Sequence, residues 1–235
     1  MLGLQFGISQ GRANEWLHRL TPILQAALAK LGMRPEREGQ AVASSELALE
    51  GGADLLIDGT ERRRQRPQQE AAQREHYSGK KAHTDKNLVL VNIHSQKVVY
   101  LSVTQPGKVH DKKQADDAGI IYPLHATLGK DTGFQGYEPQ SVIAWQPKKK
   151  PKGQPLTIAD KHINALFASQ RILVEHTLSG VKRCHIVKDV FRNTKAGFSD
   201  LVMDIACALH NLRVHFRHPL PTFNFVDLCV PPYSE

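Results

Sequence analysis

Cysteine is scarce in this sequence of 235 residues, which contains only Cys184, Cys207 and Cys229. The three cysteines form no CxxC pair and no recognisable disulfide framework. This excludes a small disulfide-stabilised secreted scaffold and predicts reduced thiols in a cytosolic protein. Histidine is more frequent, with 12 residues. Because the histidines are scattered and lack the spacing of zinc ligands, we predict no zinc site.

Long hydrophobic runs are also missing. No segment approaches the roughly 20 apolar residues that a membrane-spanning helix needs, so we expect no membrane partner. The first residues lack the basic stretch and the following apolar block of a secretion signal, and we therefore expect no signal peptide.

The overall composition is that of a folded, basic protein. Apolar residues make up 40% of the chain, which is typical of a globular domain rather than a disordered one. The length is sufficient for one sizeable core and a small appendage. The net charge of +8 and the pI near 9.4 predict a polyanion as the partner.

Three acidic residues occur in settings that suit catalysis. Asp58 follows an apolar stretch without polar alternation, which predicts a buried central strand, and Asp131 follows a second short apolar run. Glycines after both acids let the backbone turn away from the strand ends. Glu175 lies in a long helical pattern. Two strands and a helix that carry Asp, Asp and Glu are the layout of a two-metal nuclease. The alternatives are turn aspartates and a surface salt bridge at Glu175.

The periodicity predicts an α/β protein with an RNase H-like fold, in which helices flank a mixed five-stranded sheet. The first three strands form an antiparallel meander, and the fourth lies beside the first. The predicted strands cover residues 54–58, 88–93, 97–103, the stretch that precedes Asp131, and 141–145. The predicted helices cover residues 111–118, 160–183 and 198–216.

The N-terminal segment, residues 1–31, is predicted to be helical, with Ser9 as an N-cap. The turn before this helix, and the polar side chains of Arg12, Asn14 and Arg19, suit the second half of a helix-turn-helix motif, whose recognition helix enters the major groove. A plain amphipathic helix that packs on the main domain is the alternative. Residues 32–53 are predicted to be a linker, 54–218 the catalytic domain and 219–235 an irregular tail.

Two basic segments and the neighbours of Glu175 are predicted to contact DNA phosphates. Solvated charge runs are the alternative for the loops. The predicted DNA-binding residues are Arg62, Arg63, Arg64, Arg66, Lys80, Lys81, Lys148, Lys149, Lys150, Lys152, Arg171 and Lys182.

Several motifs, in a fixed order between about residues 54 and 217, resemble bacterial insertion-sequence transposases of the DDE class, in the branch related to the eukaryotic PIF/Harbinger elements. They include Ile57-Asp58-Gly59-Thr60-Glu61, Tyr77-Ser78-Gly79-Lys80-Lys81, Gly107-Lys108-Val109-His110-Asp111, Lys130-Asp131-Thr132-Gly133-Phe134-Gln135-Gly136-Tyr137, Arg171-Ile172-Leu173-Val174-Glu175-His176 and Ala206-Cys207-Ala208-Leu209-His210-Asn211-Leu212-Arg213. The N-terminal segment is similar only to the second half of the family's helix-turn-helix, so we expect a truncated N-terminus.

The resemblance implies metal-dependent phosphoryl transfer with two Mg²⁺ (or Mn²⁺) ions. Asp58 would bridge both ions, Asp131 would hold one and Glu175 the other. Asp111 is a candidate fourth ligand, with a helix N-cap as its alternative role. The implied reaction is cleavage at the element ends, followed by strand transfer into target DNA.

The implied partners are double-stranded DNA, both the terminal inverted repeats and the target, and further copies of the chain in a homodimer or higher oligomer assembled on DNA. The implied location is the bacterial cytoplasm, at the nucleoid. Two other functions stay open: a catalytically inactive DNA-binding remnant, and an RNase H-fold nuclease of another kind, such as a junction resolvase.

Overall fold

The computed structural model describes residues 2–79 and 81–217. Lys80 and the predicted tail, residues 219–235, lie outside the described residues, as does Cys229. The described part consists of one mixed sheet with helices on both of its faces.

The sheet is organised around its first strand, which pairs antiparallel with the third and parallel with the sixth. Among the described residues the strands are β1 Asp54–Arg63, β2 Tyr77–Ser78, β3 Ala82–Asn92, β4 Val98–Leu101, β5 Gln105–Pro106, β6 Thr127–Lys130 and β7 Ile143–Trp145. β7 runs parallel to β6, and β2, β4 and β5 pair antiparallel with β3. This arrangement is compatible with an RNase H-like fold. The five predicted strands are all found, whereas the short β2 and β5 were not predicted.

The longer helices begin and end close to the predicted residues. Those described are α1 Leu2–Phe6, α2 Gln10–Lys30, α3 Glu46–Leu49, α4 Glu70–His76, α5 Asp111–Ala118, α6 Ile158–Val181, α7 His185–Lys188 and α8 Phe198–His215, with 3₁₀ turns at Gly39–Ser44 and Thr132–Phe134. The predicted N-cap is confirmed, because the Ser9 hydroxyl accepts a hydrogen bond from the backbone N–H of Arg12. None of the described helices combines the length and apolarity needed to cross a membrane.

Alternate residues of the central strands enter two separate cores. Leu55 and Ile57 pack with α3 and α5 on one face, whereas Leu56 packs with α6 and α8 on the other. Successive side chains of a strand point to opposite faces. Because both faces of β1 are covered, its sequence is continuously apolar rather than alternating, as expected for a buried strand.

The first strand continues five residues beyond its predicted end at Asp58. Arg62 and Arg63, which were predicted to lie in a loop, therefore belong to β1. Because successive side chains of a strand point to opposite faces, Arg62 is buried, with 2% of its surface exposed, while Arg63 is exposed. The Arg62 guanidinium donates to Ser199 O, Asn87 Oδ1 and Thr104 Oγ1. The structure argues against the predicted DNA contact of Arg62, because the side chain is buried and both of its terminal amino groups donate inside the protein.

The linker predicted for residues 32–53 is also wrong. Val42, Leu47 and Ala48 of this segment are buried in the core that packs on β1 and β3. The backbone of Glu36 pairs with β4 on both sides, accepting from Leu101 N and donating to Val99 O. Glycine and polar residues suggested a solvated segment, but its few apolar residues cover one face of the sheet.

The N-terminal helix α2 docks on α8. Leu28 packs against Ile205 and Ala208, and the buried Asp204 carboxylate accepts hydrogen bonds from Gln25 Nε2 at 2.5 Å and Arg34 Nε at 2.7 Å. Only Ala13 and Leu28 of the predicted apolar face are buried, whereas Trp16, Leu17, Leu20 and Leu24 are exposed, so the amphipathic-helix alternative is met only in part. The helix-turn-helix remains a prediction.

Candidate active site

Asp58 and Asp131 lie side by side because of the register between two parallel strands. Ile57 of β1 pairs with Lys130, the last residue of β6, so the next residue on each strand is one of the two aspartates. Both strands were predicted to end at their aspartates; β6 does end here, whereas β1 continues to Arg63. Asp131 then caps a 3₁₀ turn, since its Oδ1 accepts from Gly133 N at 2.6 Å. The shared register, rather than two strand ends, brings the two carboxylates together.

The surroundings of Asp58 disfavour its charged form. Burial, together with the negative charges of Asp131 and Asp111, raises the pKa of the Asp58 carboxyl to about 6. A hydrogen bond from Gly59 N at 2.8 Å, and the charge of Arg171, act in the opposite direction. A carboxylate with two acidic neighbours has an environment that a cation would stabilise.

Asp111 is the third acid at this point, and it is not the N-cap of its helix. The N-cap of α5 is His110, while the Asp111 side chain turns toward β1. A Cβ atom added at Gly59 would overlap the Asp111 carboxylate, so glycine at position 59 permits the approach. Asp111 Oδ1 accepts no hydrogen bond and lies 3.1 Å from Lys86 Nζ as an ion pair. The N-cap role considered for Asp111 is therefore wrong.

Glu175 lies near the aspartates but is separated from them by an arginine. Arg171, one turn earlier on α6, places its guanidinium 3.6 Å from Glu175 Oε1 and 3.9 Å from Asp131 Oδ2. The Glu175 side chain is 59% exposed. The surface ion pair considered as the alternative for Glu175 is thus present, but it extends to Asp131.

The donor set fits a hard divalent cation, although no ligand cluster is preformed. The described residues contain no group of three or more His, Cys, Asp or Glu side chains placed to hold a metal ion. The fit is in the chemistry: Asp58, Asp111 and Asp131 offer only oxygen donors, and Asp111 Oδ1 is buried without a hydrogen bond. Carboxylates of this kind suit Mg²⁺ or Mn²⁺.

Apart from Arg62, the described cations that were predicted to bind phosphate fall into two groups. Arg64 is bound to Asp85 at 2.8 Å, Lys148 to Asp160 at 3.1 Å and Lys149 to Gln135 at 3.2 Å. Lys148 and Lys149 line a depression that also includes Thr132, next to Asp131. The remaining described candidates are solvent-accessible to different degrees: Arg63, Arg66, Lys81, Lys150, Lys152, Arg171 and the partly exposed Lys182.

The recognition-helix candidates Arg12, Asn14 and Arg19 are exposed on α2. Arg19 pairs with Glu15 at 2.6 Å and lies 5.8 Å from the centre of the Trp16 ring. Their role in reading DNA remains a prediction.

Lys86 is a site residue that the sequence analysis missed. This lysine is buried in β3, where its Nζ donates to Val109 O at 3.1 Å and lies 3.1 Å from Asp111 and 3.9 Å from Glu61. Lys86 lies in the polar first half of β3, before the predicted strand of residues 88–93, so the local pattern contained no signal for it. Only the structure shows that its charge is buried and has acidic partners.

The raised pKa of Asp58 predicts a pH-dependent stability of the metal-free protein. The folded state holds the proton on Asp58 more tightly than the unfolded state does. The contribution of this proton to the free energy of unfolding is therefore complete below about pH 4 and is lost as the pH rises through about 6. We expect Asp58→Asn to be more stable than wild type at pH 7.5, by up to about 3 kcal/mol, with the gap closing toward pH 4. Urea unfolding in EDTA, over a series of pH values, measures this difference in the free energy of unfolding. A gap independent of pH would contradict the assigned environment.

Residues 57–211 match the family model described as DDE superfamily endonuclease. The matched range includes Asp58, Asp111, Asp131 and Glu175. No curated protein matches the chain, and no solved structure matches it.

Proposed function

Because the chain belongs to the DDE superfamily endonuclease family, we propose that it is a DNA transposase that cleaves the ends of a mobile element and joins them to target DNA. The observation that carries this proposal is the adjacency of Asp58 and Asp131 on parallel strands, with Asp111 beside them. Such a group of acids on two neighbouring strands and a helix is suited to phosphoryl transfer on a polyanion.

The acids would hold the metal ions, with Asp58 as the shared ligand, Asp131 and Glu175 as the others, and Asp111 as a fourth. Two Mg²⁺ or Mn²⁺ ions, when bound, neutralise charge at phosphorus and lower the pKa of the attacking water. For Glu175 to serve as a ligand, Arg171 has to leave its position between Glu175 and Asp131. The guanidinium of Arg171, once released, would lie beside the acids where the substrate phosphate is expected to bind, and could contact that phosphate.

The surrounding cations would position the DNA. Lys148 and Lys149 line the depression beside Asp131, and contacts from such residues go mainly to phosphates, which are indifferent to base sequence. We propose duplex DNA as substrate and target, an assembly of two or more copies on it, and action at the bacterial nucleoid.

The test is DNA cleavage followed by joining. The purified protein, incubated with Mg²⁺ and a duplex that carries the sequences flanking its reading frame, is expected to nick that duplex and to transfer the exposed 3′ end into a plasmid. EDTA is expected to abolish both steps. Cleavage without joining would favour another RNase H-fold nuclease, such as a junction resolvase.

A second candidate is a DNA-binding protein without catalysis. Two observations favour it: Arg171 forms ion pairs with Asp131 and Glu175, and no three-ligand cluster exists among the described residues. Retained DNA binding with no cleavage in either Mg²⁺ or Mn²⁺ would support this candidate over the transposase.

A further inference from the structure

Two shallow depressions with several cations share Lys188 in their lining. The first begins at Glu175 and is also lined by Leu178, Ser179, Lys182, Arg183 and His185. The second is also lined by Arg63, Asp189, Val190 and Arg192. We call this surface, defined by Lys182, Arg183, Lys188, Arg63 and Arg192, the basic groove.

Much of the positive charge of the basic groove is not neutralised inside the protein. The side chains of Arg63, Lys188 and Arg192 make no ion pair or hydrogen bond with any described residue, and all three are exposed. The acid in the second depression, Asp189, lies 3.2 Å from His185. By contrast, Arg62 and Arg64 of the adjacent strand are engaged by internal partners. The groove therefore keeps a positive potential that an external anion can neutralise.

The backbone beneath the basic groove is firmly attached to the core. Val187 and Phe191 are buried in the core that packs on β1. The segment also joins the end of β1, since Phe191 N donates to Arg63 O at 2.9 Å and Gln65 N donates to Phe191 O at 2.8 Å. Because these contacts place the cations before a ligand arrives, binding requires little ordering of the chain.

The lining chemistry favours a phosphate backbone over exposed bases. None of the residues that line the basic groove is Phe, Tyr or Trp. Single-stranded nucleic acid is usually held by stacking its bases on such rings, whereas duplex DNA is held through its phosphates by Lys and Arg.

We propose that the basic groove binds the phosphate backbone of duplex DNA on one side of the phosphodiester that the acids address. This inference rests on the proposed function, since it takes its substrate from there. It assigns the DNA path to α7 and the segment after it, where the sequence analysis placed no contact residue.

The experiment compares two double variants that each lose one Lys and one Arg. Lys188→Gln/Arg192→Gln alters the groove. The control, Lys30→Gln/Arg74→Gln, removes exposed cations at the end of α2 and on α4. Affinity for a non-specific duplex is measured by fluorescence anisotropy in EDTA over a series of NaCl concentrations. For the groove variant we expect the slope of log affinity against log salt to become shallower by about 1.8, since each phosphate contact contributes about 0.9. The control is expected to keep the wild-type slope.

The same variants are assayed for Mg²⁺-dependent hydrolysis of bis(p-nitrophenyl) phosphate, which is too short to reach the groove. We expect this hydrolysis to be unchanged. A wild-type salt slope in the groove variant would overturn the proposal. An equal flattening of the salt slope in the control would also overturn the proposal, since the loss of net charge would then explain the effect. A loss of small-substrate hydrolysis in the groove variant alone would overturn it as well.

The two proposals fail separately because the binding assay contains no metal and requires no cleavage. A groove-dependent slope in a protein that never cleaves DNA would support the basic groove and count against the transposase. Cleavage and joining by wild type, with an unchanged salt slope in the groove variant, would support the transposase and count against the basic groove.

Discussion

Asp58→Asn and Asp131→Asn are each expected to reduce metal-dependent DNA cleavage by on the order of 10³-fold or more, while duplex binding is retained or strengthened. The amide is a weaker metal ligand than the carboxylate and carries no charge, so the site loses a ligand. The same change removes a negative charge that faces the DNA phosphates. Cleavage is measured on the duplex described above, and binding by anisotropy.

Asp117→Asn is the matched control, because this exposed carboxylate lies on α5 and outside the acidic group. It is expected to cleave as wild type does. Isothermal titration with Mn²⁺ gives a second readout, in which both site variants are expected to bind the ion more weakly than the control. Undiminished cleavage in either site variant would refute the assignment of the three predicted acids.

Arg62→Ala is expected to destabilise the protein by roughly 3 kcal/mol, because it removes a buried side chain that donates hydrogen bonds to three neutral acceptors. The side chain donates to Asn87 Oδ1 at 2.8 Å and to Ser199 O at 3.0 Å, and its loss leaves these buried acceptors without that donor. Burial lowers the pKa of the Arg62 guanidinium, and the neighbouring Asp85 opposes this. The change in free energy of unfolding is measured by urea denaturation.

Arg63→Ala provides the control from the next residue of the same strand. Its side chain is exposed, so its replacement is expected to change the free energy of unfolding by less than about 0.5 kcal/mol. Because Arg63 borders the basic groove, it is expected instead to flatten the salt dependence of DNA binding by about 0.9. The reverse pattern, with Arg63 needed for folding and Arg62 for DNA binding, would contradict the register of β1.

The two arginines also show why the sequence predicted the strand but not its end. Residues 54–58 are apolar enough to identify a strand, whereas residues 61–66 are dominated by charge and were predicted to be a loop. Pairing with β3 as far as Arg63 and Thr84 carries the strand through this charged stretch. Partners that satisfy Arg62 come from α8 and from the segment after β4, more than 20 residues away in sequence, and local patterns contain no information about them.

For the candidate acids, too, the local sequence identified the residues and the tertiary structure decided which of them lie together. A carboxylate after an apolar run and before glycine is a local pattern, and it identified Asp58 and Asp131. The pairing of Ile57 with Lys130 that makes them neighbours is a property of the sheet. Asp111 was uncertain because a first-turn aspartate serves equally well as a helix cap. The structure places His110 at the cap and the Asp111 carboxylate against Lys86 and Gly59, while its role as a metal ligand remains a prediction.

The sequence by itself determined the α/β class, the order of the main strands and helices, the excess of positive charge and the family to which the chain belongs. These features depend on periodicity and composition, which are local or additive. Only the tertiary structure decided that residues 32–53 belong to the core, that Arg62 is internal and that Arg171 lies between Asp131 and Glu175. It alone brought Arg63, Lys188 and Arg192 to the lining of one depression. Segments that are distant in sequence decide whether a charged side chain is buried and which groups it contacts. A buried charge needs internal partners, whereas an exposed charge remains free to bind a ligand.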